Sequence, residues 1–122
     1  MRDRYTRYIG LRVAGGPATV FVEENGGRRL LPHVRHHSPN GMGWGFAGSG
    51  PADLAHSILA DALNVPSVSA QLYQAFKFDV VSGLEETGFV IKISQVQEWL
   101  NKRWALMSHE DIKADLVGGL DV

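Results

Sequence analysis

The sequence contains no cysteine, which excludes disulfide staples, thiolate metal sites and cysteine nucleophiles. No apolar run approaches the roughly 20 residues that a membrane-spanning helix needs, so no membrane association is expected. The opening MRDRYTRY lacks the apolar centre of a signal peptide. Together these absences fit a cytoplasmic setting. Excess charge is also missing. Twelve Lys and Arg face thirteen Asp and Glu, a formal net charge of −1, so the chain is not an all-over clamp for nucleic acid. Internal repeats and low-complexity tracts are absent, and an apolar fraction of 44% against 20% charged residues argues against global disorder.

What is present is unevenly placed. Arg2, Arg4, Arg7, Arg12, Arg28, Arg29 and Arg35 fall in the first third, and acidic residues dominate later. This asymmetry predicts a positive edge on a near-neutral molecule. The 122 residues suit one domain over 1–122, with a core over about 5–107 and a short C-terminal helix and tail over 108–122.

Alternation of residue type predicts strands over Tyr5–Val13 and Ala18–Glu24, and a short third strand is expected over Arg28–His33. They are joined by turns at Ala14–Pro17 and Asn25–Gly27, where Gly and Asn tolerate the positive φ of tight turns. A helix is expected over Pro51–Leu63, capped by Ser49 or Gly50, with Leu54, Ala55, Ile58, Leu59 and Ala62 on one arc. A second helix is expected over Val68–Ser82 after Ser67. A strand follows at Gly88–Ile93, then a third helix opened by the box Ser94–Gln97, and a last helix, His109–Val117, after Ser108. The expected fold class is α+β: a small antiparallel sheet, an N-terminal meander plus one later strand, with three or four helices packed on a face.

Between sheet and first helix lies RHHSPNGMGWGFAGSGPADLA, Arg35–Ala55. Gly41, Gly43, Gly45, Gly48 and Gly50 let backbone amides approach another surface closely. A glycine loop that enters a helix N-terminus can hold a phosphate or carboxylate through N–H groups and the helix dipole. Arg35 and His37 would add charge, and Ser38, Asn40 and Ser49 neutral hydrogen bonds. Trp44 and Phe46 would offer flat faces for a base. The ligand-binding set is therefore Arg35, His37, Ser38, Asn40, Trp44, Gly48, Ser49, Gly50 and Asp53. It suits a nucleotide or another phosphorylated small molecule. The alternative is structural: the glycines carry the loop across the sheet while Trp44 and Phe46 plug the core.

Other chemistries find less support. His33 and His37 would share a strand face, but with His36, His56 and Asp53 they do not form a metal-ligand spacing, so no metal is expected. Ala47-Gly48-Ser49-Gly50 only approaches a nucleophile elbow, and neither a triad nor a carboxylate pair can be named. No catalytic residue and no cofactor is assigned. Asp79, near the apolar arc of the second helix, is expected to be a half-buried hydrogen-bond hub for a loop amide or Arg35. Trp99 and Trp104 are expected in the core or an interface, which keeps a homodimer open.

The block from Asn40 to Ala55, with the helix Leu72–Val81, resembles a family of short bacterial, archaeal, plasmid and phage proteins of unknown function. Its members share an HSP…WG…GSGPA.LA..IL pattern. The resemblance covers most of residues 5–100. It differs in His36 beside His37, in His56 within the helix and in a longer tail after Trp104, so no histidine role carries over. The resemblance implies a mobile-element setting and a non-enzymatic binding role. That role would be sequestering a nucleotide signal or blocking a protein partner of a defence system, an anti-defence function. A protein- or nucleic-acid-interaction module with a purely structural loop is the other expectation.

Overall fold

The structure, a computed structural model, describes residues 2–12, 18–34 and 37–117. The expected turn at Ala14–Pro17, the strand end at Val13, Arg35, His36 and the tail from Gly118 lie outside the described residues.

Strands β1 (Arg7–Arg12), β2 (Ala18–Glu24), β3 (Gly27–Leu30) and β4 (Gly88–Lys92) form one antiparallel sheet in the order β3-β2-β1-β4. The expected meander and later strand are thus present, with β1 beginning at Arg7 and not at Tyr5. β3 is shorter than expected. Leu31 N–H still donates to the Val20 carbonyl oxygen at 3.0 Å, but Pro32 has no N–H with which to continue the ladder. Helices α1 (Ser49–Leu63), α2 (Ala70–Asp79), α3 (Ile93–Trp104) and α4 (His109–Val117) complete the α+β fold, with a 3₁₀ turn at Val81–Gly83.

Alternate residues of each strand face opposite sides of the sheet. Tyr8, Val20, Val22, Leu31, Phe89 and Ile91 form the inner face and enter one core with Leu54, Ile58, Leu59, Leu72, Phe76, Val96 and Leu100 of the helices. Helix α1 runs through that core and is buried from Gly50 to Ala62. Its predicted apolar arc is fully buried. It stops at Asn64, whose φ of 57° is the left-handed conformation that Asn tolerates and whose N–H closes on Ala60 and Asp61.

Three helix starts differ from the sequence reading by a residue or two. Gly48, not Ser49 or Gly50, caps α1, and it offers no side chain to do so. Ser69 rather than Ser67 caps α2, accepting from Leu72 N–H at 3.1 Å. Ser67 is drawn to His56 Nε2 at 2.8 Å. Lys92 precedes α3, and Gln95 Oε1 accepts its N–H at 2.8 Å, so the box begins two residues before Ser94.

Candidate functional site

His33, Val34, His37 and Ser38, at the entry to the glycine loop, are held by a polar stripe of α1. Asp53, Ser57 and Asp61 recur every four residues, so they stack along one side of the helix. Asp53 Oδ2 accepts the N–H groups of His37 and Ser38 at 2.8 and 2.9 Å and lies 2.9 Å from His33 Nε2. His37 Nδ1 stands 3.4 Å from the other oxygen. Ser57 Oγ accepts from Val34 N–H at 3.0 Å. Asp61 takes Arg29 at 2.8 Å, Tyr8 Oη at 2.8 Å and the backbone-anchored Arg2 at 3.5 Å. These carboxylates are buried because each is paired. The hub expected at Asp79 is therefore at Asp53. Asp79 is exposed, and Trp99 Nε1 donates to it at 2.8 Å.

This stripe changes the glycine-loop site. Asp53 faces the protein's own amides and not a ligand. Trp44 is only 1% exposed. Its Nε1 donates to the carbonyl oxygens of Glu85 and Glu86, and its ring meets Phe89 edge-on at 4.9 Å. It fills the core and cannot stack a base, as the structural alternative has it for Trp44, whereas Phe46 is 53% exposed and does not plug the core. Ala52 N–H is taken by the Gly48 carbonyl oxygen, Pro51 has no N–H, and Gly50 backs onto Gly41 and Gly43 so closely that a Cβ would meet both at 3.2 Å. Ser38, Asn40, Ser49 and Gly50 do come together. With Arg12 and Phe46 they line a cleft of about 330 Å³. Gly48 lies beside Phe46, and His37 sits apart from the cleft on Asp53. His33 and His37 share one carboxylate, and among the described residues no three His, Asp or Glu side chains are arranged to hold a metal.

The sheet's outer face presents a second and larger surface. Pairing aligns Leu30, Phe21, Ile9 and Val90 in one row across all four strands, perpendicular to the chain. Leu30 is 63% exposed and Val90 50%, and Leu11 in the next row is 43% exposed. Ile9, 7% exposed, lies on this face, while the alternate residues of the same strands enter the helical core. Beside the apolar row runs a charged one: Arg28, Glu23, Arg7 and Lys92. Arg7 and Arg28 both bind Glu23, and these hydrogen bonds hold its carboxyl below the usual range. Arg4, Tyr5 and Lys92 extend this border around an open depression of about 630 Å³. The sequence marks the arginines and the alternation. It does not give the register that turns four scattered apolar residues into a continuous row.

No curated protein and no solved structure matches this chain. A family model described as a family of unknown function (DUF6166) matches residues 8–103. The matched span takes in the sheet, the glycine loop and helices α1 to α3 almost entirely, and the chain belongs to that family. No helix among the described residues is long and apolar enough to cross a membrane.

Proposed function

We propose that this DUF6166 protein is a non-enzymatic interaction module whose outer sheet face is its binding surface. The observation that carries the reading is the apolar row Leu30–Phe21–Ile9–Val90, exposed at both ends and bordered by cations. A soluble chain gains nothing in stability by holding large apolar side chains in water on one aligned row, and such rows mark places where another surface sits. Blocking a partner protein with this face is the form an anti-defence role would take. The test is co-purification from the source cells. The wild-type chain is expected to retain one identified protein in stoichiometric amount, and Leu30→Ser/Val90→Ser to lose it while keeping its circular dichroism spectrum and melting temperature. Retention of the same partner by the folded variant would defeat the reading.

A second reading has its own observation. Arg12 is exposed, forms no ion pair among the described residues, and lies over the Trp44 ring at 4.9 Å beside the 330 Å³ cleft. With Ser38, Asn40 and Ser49 it would receive the phosphate of a nucleotide, with the half-exposed Phe46 ring, one of the two faces expected to stack a base, beside it. Calorimetric titration with linear and cyclic nucleotides tests this. Binding that disappears in Arg12→Gln supports it, and no heat across the panel removes it.

A further inference from the structure

We infer that the occupant of the outer sheet face is an acidic amphipathic α-helix of a partner protein, laid along the row Leu30–Phe21–Ile9–Val90. The inference rests on the docking reading above and adds the chemistry of the partner.

Shape gives the first argument. Four strands place the ends of the row about 14 Å apart, three strand spacings. A helix covers that distance with about ten residues, presenting apolar side chains at i, i+3 or i+4, and i+7. The row is one residue wide, the width of such a stripe. The inner face of the same sheet already packs against helices, through Tyr8, Val20, Val22 and Ile91. A helix on the outer face would give the sheet a second apolar cover.

Backbone chemistry gives the second. The N–H and C=O groups of the central strands β1 and β2 are spent on ladders, and the outward groups of the edge strands β3 and β4 lie in the plane of the sheet and not on its face. An extended peptide lying flat on this face would find no partners for its own backbone groups. A helix brings its own hydrogen bonds with it.

Charge gives the third. Arg28, Arg7 and Lys92 outnumber Glu23 in the row alongside, and Arg4 stands at the border. Lys92 and Arg4 pair with no carboxylate among the described residues. An occupant with Asp or Glu on that flank is attracted, and a basic one is repelled.

Size and composition decide against the other occupants. The face spans about 400 Å² from strand spacing and rise per residue. A stable dimer buries about 800 Å² on each partner, so a second copy docked through this face alone falls short. Single-stranded nucleic acid binds by stacking on aromatic faces. Here the row offers one ring, Phe21, with the Arg28 guanidinium 6.0 Å from its centre, among aliphatic side chains.

The test is a selection of displayed random 16-residue peptides against the full chain, counter-selected on folded Leu30→Ser/Val90→Ser. The recovered sequences are expected to share a helical apolar period with enriched Asp and Glu. Their affinity should fall on the order of tenfold with Lys92→Glu, while their binding to the double variant disappears. Peptides without acidic enrichment, or binding both proteins equally, would overturn the inference. A (dT)15 oligonucleotide is expected not to bind. Binding of that oligonucleotide lost in the double variant, with no peptide recovered, would replace the helix by nucleic acid. Sedimentation showing a dimer that the double variant abolishes would replace it by a second copy. A selection that yields nothing, while a co-purifying partner is still lost from the double variant, removes the acidic helix and leaves the docking reading standing.

Discussion

Asp53 Oδ2 accepts the backbone N–H groups of both His37 and Ser38, at 2.8 and 2.9 Å, from a position 1% exposed on helix α1. The glycine loop is therefore held from its protein side by a buried carboxylate. Asp53→Ala leaves two loop amides without their acceptor, and hydrogen bonds to charged groups contribute about 1.5–3 kcal/mol each. We expect a loss of at least about 3 kcal/mol in urea denaturation. Amide exchange at His37 and Ser38 should rise well beyond the global change. Unaltered exchange at those two residues would contradict the clamp.

Gly10 and Phe89 are cross-strand partners, and the Phe89 ring lies across Gly10 on its way to Trp44. A Cβ at Gly10 would stand 2.1 Å from that ring. Gly10→Ala is expected to cost about 1–3 kcal/mol by overpacking. In the double variant with Phe89→Leu the two effects should fail to add, because the ring that clashes is gone. Simple additivity in a thermal-melt cycle would contradict this packing.

Periodicity made much of the fold legible. Period-two alternation marks β1 and β2, and the arc Leu54, Ala55, Ile58, Leu59, Ala62 marks α1, because burial on one side imposes those spacings directly. Capping residues were harder to place. Ser67 and Ser69 have the same local chemistry, and only the nearness of His56 in the folded chain draws Ser67 away from α2. Asp53 at the start of α1 read as part of a ligand site, and only the return of the chain at His37 and Ser38 makes it a buried acceptor. Trp44 is the clearest case. A tryptophan among glycines reads equally as a ligand face or a plug, and only β4 and the carbonyls of Glu85 and Glu86 decide it. The outer apolar row was hidden for a related reason. It exists in the register between strands, and no single strand contains it.

Asp115 fastens α4. It accepts from Gln71, Arg103 and Trp104, and its carbonyl oxygen takes Ser69 N–H. Burial alone would raise its pKa, but the hydrogen bonds from Arg103 and Trp104 outweigh it and hold the carboxyl below its ordinary value near 3.8. A depressed folded-state pKa contributes stability that is present above the unfolded value and is lost as pH falls through the folded one. Acidification below about pH 4 should therefore loosen α4, seen as a change in Trp104 emission. Asp115→Asn should be less stable at pH 7 and lose that acid-dependent step. An unchanged acid profile would contradict the pairing.

Tyr8 is governed by the opposite sign. Burial first, and then the neighbouring Asp61 charge and hydrogen bond, raise its phenol well above the ordinary value of 10. The unfolded chain ionises there and the folded chain does not, so stability present below pH 10 should fall as pH rises beyond it. Tyr8→Phe should flatten the alkaline limb and cost about 1 kcal/mol at neutral pH. Ultraviolet titration compared with Tyr8→Phe should show the Tyr8 phenol ionising only on unfolding. A Tyr8 phenol that ionises near pH 10 in the folded chain would contradict a buried Tyr8–Asp61 bond.

Site-specific photocrosslinking in the source cells tests the outer sheet face most directly. A benzophenone side chain is placed in turn at Leu30, at Val90 and at the exposed Gln97 on α3. The same identified protein should be captured from positions 30 and 90 and not from 97. Equal capture from all three positions, or capture from 97 alone, would contradict a partner seated on the sheet.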